Sequence, residues 1–388
     1  MRFFRRLGER ARLHRNIRNV RFPTLTRLMV DPPPLRGDSL KHNHKFSEAF
    51  LQDVCTAFTQ AQHDTREHDV WSEISGHSAQ FEAAMRAHDL EAVEKWLATM
   101  FQSNLLIGMA HCAIMLTDKS PYGKAYFGTR VRDSLLALAE ALAIKGIESN
   151  HQTSFAEHLR LTNGDLSPLV DRIEDVLGHS IKPVDFGQPA VADMNGQMLN
   201  PDYLRHAYAM YRIETLGFSK TKPILEIGGG FGCVTRYGIV RGFKDLTIID
   251  LPFANAVQAG FIAGTEGEDV VQFHQQVSGK AKSGQSGKVI LWPSTKKDQL
   301  SRKFELAINM DSLPEINRDE ALSYLKLLKK KAKYFWSVNQ EAEKTTSGGM
   351  KQNRVSQLVD EIGGFRRLHR HPYWMEQGYV EELYEIVE

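Results

Sequence analysis

The segment Pro223-Ile-Leu-Glu-Ile-Gly-Gly-Gly-Phe-Gly232 constrains the fold more than any other part of the chain. An apolar run of strand length ends abruptly in glycines, and a helical stretch follows from Cys233. Glycines at a strand-to-helix turn permit positive φ and let a ligand approach the backbone closely. A helix starting behind them aims unpaired N–H groups back at the turn. Such a turn belongs at the switch point of an open α/β sheet, where nucleotide-like ligands bind.

Spacing narrows the ligand. A dinucleotide fingerprint needs G-x-G-x-x-G or a final alanine, and counting from Gly228 reaches Gly230 and then Cys233. A P-loop needs Gly-Lys-Ser/Thr, which does not follow. The pattern present is acid-x-G-x-G-x-G, made by Glu226, Gly228, Gly230 and Gly232 with Gly229 between. An acid inside the loop repels a pyrophosphate, but it suits a ligand with a cationic methionine moiety and no phosphate. The next strand, residues 246–249, runs into Asp250, where a carboxylate can accept from both ribose hydroxyls of an adenosine. S-adenosylmethionine meets both requirements. Its expected contacts are Glu226, Gly228, Gly229, Gly230, Gly232, Asp250 and Leu251. In the competing reading the glycines only turn a corner and Asp250 caps a helix.

The rest of the chain divides into three parts. Residues 1–22 hold eight arginines against one acid, Glu9, a charge of +7 within a total of +2, so the remainder carries −5. This basic arm, residues 1–35, ends at the stiff Pro32-Pro-Pro34 break and lacks the apolar core of a secretory signal. An interfacial helix on an anionic membrane and contact with nucleic acid are two readings of it, and a poorly ordered solvated terminus is the bland one. A mitochondrial-type presequence is disfavoured by the lack of serine. Of the partners, peripheral membrane contact is the expected one and nucleic acid is not. Residues 40–215 read as a mainly α-helical domain with a substrate, lid or oligomerisation role. Leu90, Val93, Trp96, Leu97, Met100 and Phe101 recur at helical spacing behind an Asp89 cap. Val131, Leu135, Leu138 and Leu142 form a second stripe, which Gly146 should close. Ser167-Pro168 and Asn200-Pro201 each read as a capping residue before a first-turn proline. From 216 to 388 short apolar runs at 223–227, 246–249, 289–292, 306–309, 334–338 and 379–387 alternate with helical stretches. That alternation implies a mostly parallel sheet flanked by helices. Three cysteines without metal-like or redox-like spacing fit a reducing compartment, hence a cytoplasmic protein, and leave oligomeric state open.

The cofactor loop resembles that of class I (Rossmann-like) methyltransferases, and the resemblance extends toward one group. Ile224-Leu-Glu-Ile-Gly-Gly-Gly-Phe-Gly232, Thr247-Ile-Ile-Asp-Leu-Pro252, Ile308-Asn-Met-Asp-Ser-Leu-Pro-Glu-Ile316 and Tyr334-Phe-Trp-Ser-Val-Asn339 are similar to successive signatures of a sugar O-methyltransferase family. Asn195-Gly-Gln-Met-Leu-Asn-Pro-Asp-Tyr-Leu-Arg205 is similar to the helix that leads into that family's sheet. The likeness runs from about residue 180 onward, is firmest at 220–340, and adds nothing for residues 1–45. It implies a helical region ahead of the catalytic fold and methyl transfer to a hydroxyl of a sugar, in a surface glycan or on a glycosylated metabolite. A nitrogen or non-sugar oxygen acceptor, and a non-catalytic binding module on the same fold, are the alternatives.

Hydroxyl methylation needs a group that accepts the hydroxyl proton. Residues just past a strand's carboxyl end face the ligand crevice of a doubly wound sheet. Glu315 and Asp311, which follow the strand at 304–309, and Asn339, which ends the next, are therefore the catalytic candidates, Glu315 first. As bland alternatives, Asp311 would cap a helix and Glu315 would be a solvated first-turn acid. Arg205 or Tyr208 could reach the cofactor's carboxylate. His369 and His371 lie just before the last strand, where one could act as base. They and the pairs His42/His44 and His63/His68 lack metal-ligand spacing, and no metal is expected.

Overall fold

Upstream of the glycine loop the described residues are mainly helical, as their apolar stripes require. A computed structural model describes residues 35–36, 45–61, 71, 75–116, 121–147, 165–276, 288–345 and 351–387. The Arg-rich arm at 1–22, the Pro32–34 break, His42, His44, His63 and His68 lie outside the described residues. After a short strand β1 (Leu35–Arg36) come helices α1 (Glu48–Gln60), α2 (Ala79–Ala87), α3 (Leu90–Ala98), α4 (His111–Leu116), α5 (Pro121–Ala141) and α6 (Ser167–Leu177). Asp89 caps α3 by accepting from the Ala92 N–H at 3.1 Å, and Val93 and Leu97 are fully buried beneath it.

Two helix ends differ from the sequence reading. The stripe on α5 is buried, but the helix stops at Ala141 and Ala143 takes the left-handed φ of 55° that Gly146 was expected to supply. The amides of Ile144 and Lys145 then return to the carbonyl of Ala139, so the last turn is satisfied without a glycine. At α6 the side-chain cap is Asp165, whose Oδ1 accepts from the Ser167 N–H at 2.9 Å, and Ser167 is already the first helical residue. Strands β2 (Val191–Met194) and β3 (Gln197–Leu199) form a small antiparallel sheet with β1, and helix α7 (Pro201–Thr215) starts behind Asn200 as expected. There Asn200 Oδ1 accepts from the Asp202 N–H at 2.9 Å.

The six expected apolar runs form strands of one sheet. In chain order the elements are β4 (Ile224–Ile227), α8 (Cys233–Val240), β5 (Asp245–Asp250), α9 (Pro252–Glu266), β6 (Val271–Phe273), β7 (Lys288–Pro293), β8 (Phe304–Met310), α10 (Arg318–Lys331), β9 (Ala332–Gln340), α11 (Val355–Ile362), β10 (Phe365–Pro372) and β11 (Tyr379–Ile386). The eight strands lie in the order β10-β11-β9-β8-β4-β5-β7-β6. From β9 to β6 all pairs are parallel, and β11 runs antiparallel between β9 and β10. The arrangement is the one expected from the sequence, a mostly parallel sheet flanked by helices. The chain leaves β4 to one side for β5 and returns to its other side for β8, so the switch point lies at the end of β4.

Two of these strands were not visible as apolar runs. β6 is only three residues long, and β10 reads Phe-Arg-Arg-Leu-His-Arg-His-Pro because it forms the edge of the sheet. Charged residues on an edge strand oppose pairing with other chains, and they also erase the period-2 pattern.

The helical part and the sheet share one apolar core, which runs from Phe46 and Val54 through Leu97 and Phe127 to Ile248 and Leu383. A second cluster fills the other face of the sheet around Leu225, Ile249, Phe335 and Leu328 of α10. Among the described residues no helix is long and apolar enough to cross a membrane.

Candidate functional site

The loop after β4 turns because its glycines turn. Gly228, Gly230 and Gly232 take φ of 69°, 56° and 94°, and Gly232 occupies the cap position of α8. Space forbids side chains as firmly as torsion does. A Cβ on Gly228 would lie 2.2 Å from Ser312 Oγ, and one on Gly230 would lie 2.8 Å from the carbonyl oxygen of Met109. Phe231, between the glycines, points away from the crevice into an aromatic cluster. Its ring meets Phe261 edge-on at 4.9 Å and Phe101 of the helical part at 5.2 Å. The loop is thus pinned by a buried aromatic while its backbone faces the crevice.

At the end of β5, Asp250 Oδ1 accepts from the Leu251 N–H at 2.8 Å and Oδ2 accepts from Gln258 Nε2 at 2.7 Å. Gln258 is fully buried on α9, and the same nitrogen donates to the Gly230 carbonyl at 3.0 Å. One amide therefore ties the glycine loop to the carboxylate on the neighbouring strand. Sequence reading missed Gln258 because it lies in an otherwise apolar helical run. Glu226 is buried, and its Oε2 accepts from the Thr235 hydroxyl at 2.5 Å. Burial, with help from the charge of Asp250, pushes the Glu226 carboxyl up to about 7 against the pull of that hydrogen bond.

These groups form one wall of a cleft of about 1040 Å³, mouth included. Glu226, Gly228, Gly229, Gly230, Asp250 and Leu251 all line it, whereas Gly232 stands behind as the helix cap. The opposite wall comes from the helical part and from the turns after β8 and before β11. Arg205 of α7 pairs with Asp311 and sits 3.2 Å from Glu376, which Arg130 also holds at 2.8 Å. The Tyr379 ring lies 5.4 Å beneath the Arg205 guanidinium. Burial, together with the neighbouring Arg205, lowers the pKa of His111 and pushes His206 down to about 3, so both rings are neutral near pH 7. Against the cost of burial, the surrounding His111, Arg205 and Arg130 hold Glu376 down to about 2.

The candidates named from sequence are in three different situations. Glu315 lines the cleft, and its carboxylate has no hydrogen-bond or ion-pair partner among the described residues. Burial alone raises it to about 7. Asp311 lines the cleft too, but it is neither free nor a helix cap: it sits at a left-handed φ of 64° with its charge engaged by Arg205. The following helix, α10, is capped instead by Asn317, which accepts from the Asp319 N–H. Asn339 does not reach the cleft. Its Nδ2 donates to Asn309 Oδ1 at 2.9 Å and to Ser337 Oγ at 2.8 Å. Asn309 and Ser312 in turn donate to the Ile227 carbonyl at 2.9 and 3.1 Å, so Asn339 braces the base of the glycine loop from behind. Tyr208 and the two histidines of β10 also lie off the cleft. Arg205 lines it, but with its charge already met by Asp311 and Glu376.

No protein-family model matches this chain, and no curated protein matches it. Solved structures align with about half of it. Magnesium protoporphyrin IX methyltransferase (ChlM) from Synechocystis PCC 6803, solved with bound SAM, is 13% identical over 47% of this chain and 78% of its own, with a TM-score of 0.29. The CcbJ methyltransferase from Streptomyces caelestis is 11% identical over 47% of this chain and 89% of its own, with a TM-score of 0.33. The N-terminal domain of EvdMO1, solved in the presence of SAH and D-fucose, is 13% identical over 51% of this chain and 90% of its own, with a TM-score of 0.32. At such identities the likeness concerns the fold alone, and a functional reading has to come from the residues of the cleft.

Proposed function

We propose that this chain is an S-adenosylmethionine-dependent O-methyltransferase that acts on a sugar hydroxyl, in a surface glycan or on a glycosylated metabolite. The observation that carries the reading is the half-buried Glu315 carboxylate, which has no ion-pair or hydrogen-bond partner among the described residues and faces the same cleft as the glycine loop and Asp250. A general base works best with a pKa near the working pH, and burial puts Glu315 there.

The cleft fits the cofactor by its chemistry. Asp250 presents a carboxylate at the end of β5 to a ribose diol, and the backbone of Gly228, Gly229 and Gly230 lines the cleft beside it. Glu226, Asp250 and Glu315 give the cleft the acidic character that a sulfonium prefers and a pyrophosphate does not. When bound, S-adenosylmethionine supplies an electrophilic methyl group. The chain itself orients the acceptor hydroxyl, takes its proton on Glu315 and keeps bulk water out. Tyr379, Tyr324 and Trp71 offer flat apolar faces in the cleft for the C–H face of a sugar ring. Met109, His111 and Arg205 give the helical part the role of acceptor-side wall.

Calorimetric titration with S-adenosylmethionine and S-adenosylhomocysteine tests the cofactor. Transfer of a labelled methyl group to nucleotide-sugars and glycan fragments tests the acceptor. We expect both cofactor forms to bind and label to appear in a sugar. Failure of either form to bind would remove the enzymatic reading, and label appearing only in amines would replace the sugar with a nitrogen acceptor.

A further inference from the structure

Away from the cleft, on the edge of the sheet, three side chains converge whose chemistry the methyl-transfer reading does not use. His369 and His371 are two residues apart on β10 and therefore share a face. Across the ladder His371 stands directly opposite Glu381 of β11, and His369 lies on the diagonal, opposite Leu383. The two imidazoles stack at 4.9 Å with 13° between their planes. Their Nε2 atoms lie 3.1 Å (His369) and 3.6 Å (His371) from Glu381 Oε1, and one ligand atom from each of the three residues falls within 4.8 Å of the others.

We propose that His369, His371 and Glu381 form a binding site for a divalent transition-metal ion, with zinc the best match. Zinc bonds to imidazole nitrogen and carboxylate oxygen are about 2.0–2.2 Å, which at a tetrahedral angle separates ligand atoms by roughly 3.3–3.5 Å. The two histidine-to-carboxylate distances bracket that value, so small side-chain rotations close the set. Two imidazoles and one carboxylate are the donors that zinc and its neighbours in the transition series prefer, and a hard ion such as Mg²⁺ does not.

The surroundings are those of a built site. Glu381 is completely buried, and its Oε2 has no hydrogen-bond partner, although an unpaired buried carboxylate oxygen is costly. Its other oxygen accepts from Arg212 Nε of α7 at 2.9 Å, the kind of outer contact that orients a ligating carboxylate. His371 Nδ1 lies 3.2 Å from the Pro372 carbonyl, and Arg212 Nη2 lies 3.4 Å from its Nε2. A carbonyl only accepts and a guanidinium only donates, so His371 Nδ1 carries the proton and the Nε2 lone pair is open to a cation, here the Arg212 guanidinium. Read as a sequence, His369 and His371 are a pair without an acid at metal spacing. The third ligand comes from another strand and becomes visible only in the β10–β11 register.

The test is calorimetric titration of Zn²⁺ into the full chain after treatment with a chelator, with Mg²⁺ as control. We expect one equivalent of Zn²⁺ to bind, no Mg²⁺ response, and a Zn²⁺-dependent rise in melting temperature. His369→Ala and His371→Ala should each weaken binding at least about tenfold, while the double variant His42→Ala/His44→Ala should bind as the parent does. Both β10 histidines are partly exposed, so their variants should melt like the parent in chelator, which separates lost ligation from lost folding. Absence of Zn²⁺ uptake, or one equivalent still taken up by the His369→Ala/His371→Ala double variant, would overturn the site.

Discussion

Gln258 and Asp250 are joined by a 2.7 Å hydrogen bond from the amide Nε2 to the carboxylate Oδ2, and the same Nε2 reaches the Gly230 carbonyl at 3.0 Å. The side chain thus sets the distance between the Asp250 carboxylate and the glycine loop, although it belongs to neither the loop nor the strand end. Gln258→Leu removes a buried donor and leaves both acceptors short of a partner, at about 1–3 kcal/mol. We expect S-adenosylhomocysteine to bind about tenfold more weakly to Gln258→Leu, since 1.4 kcal/mol is a factor of ten. Calorimetry on the variant checks this, and an unchanged dissociation constant would mean that the loop holds its position without Gln258.

Glu315→Gln keeps the shape of the cleft and removes the proton acceptor. Cofactor affinity should hold within about twofold while turnover falls by about 10²–10⁴. A base works only as carboxylate, so with Glu315 in the proposed role turnover should rise with pH through about 7 and level off above it. A pH profile of kcat, with and without the substitution, provides the check. A profile that keeps its inflection in Glu315→Gln would assign the titration to another group, with Glu226 the first to examine.

Glu226 makes a second pH dependence, in stability. Its carboxyl lies near 4.5 in the unfolded chain and at about 7 when folded, so between these values the native state holds a proton that the unfolded state releases. Stability contributed at this site is therefore intact below about 4.5, declines as the pH rises toward 7, and is lost above it. Glu226→Gln still offers Thr235 an acceptor and carries no charge to desolvate. We expect it to melt higher than the parent at pH 8, by an amount that shrinks toward pH 5, and to bind the cationic cofactor more weakly. Melting curves at the two pH values, alongside cofactor titration, test the pair of effects. A variant less stable than the parent at pH 8 would contradict the sign.

How much of this was legible in the sequence depends on whether a residue's neighbours are local. The strand, the glycines and Asp250 could be placed because strand ends and helix starts are local events, and the six apolar runs are buried on the sheet where side chains alternate poorly but hydrophobicity persists. The edge strand β10 could not be placed, since its charged residues answer to solvent and to Glu381, Glu382 and Glu385 across the ladder. The catalytic candidates could be placed at the carboxyl ends of parallel strands but not told apart. Asp311, Glu315 and Asn339 all follow parallel strands. What distinguishes them is Arg205 from α7 beside Asp311, the lack of a charged partner for Glu315 among the described residues, and Asn309 on a neighbouring strand beside Asn339. Those partners are long-range, and no local pattern announces them.

Asp311 offers the sharpest separation between a charge used for chemistry and a charge used for structure. It faces the cleft at a left-handed φ of 64°, and its carboxylate meets Arg205, which is itself almost wholly buried. Breaking a buried ion pair by removing one partner commonly costs about 3–5 kcal/mol, because the remaining charge keeps its desolvation penalty. Here Glu376 also sits beside Arg205, so part of the charge stays compensated and the loss should fall toward the lower end of that range. Asparagine is the substitution to use, since among non-glycine residues it tolerates positive φ well, whereas Asp311→Ala adds backbone strain to the lost pair. We expect Asp311→Asn to lower the melting temperature clearly and Asp311→Ala to lower it further. In both, the kcat–pH inflection near 7 should remain, because Glu315 still accepts the proton. If Asp311→Asn instead melted like the parent and lost turnover as fully as Glu315→Gln, the proton would go to Asp311, and the Arg205 pair would be part of the catalytic machinery.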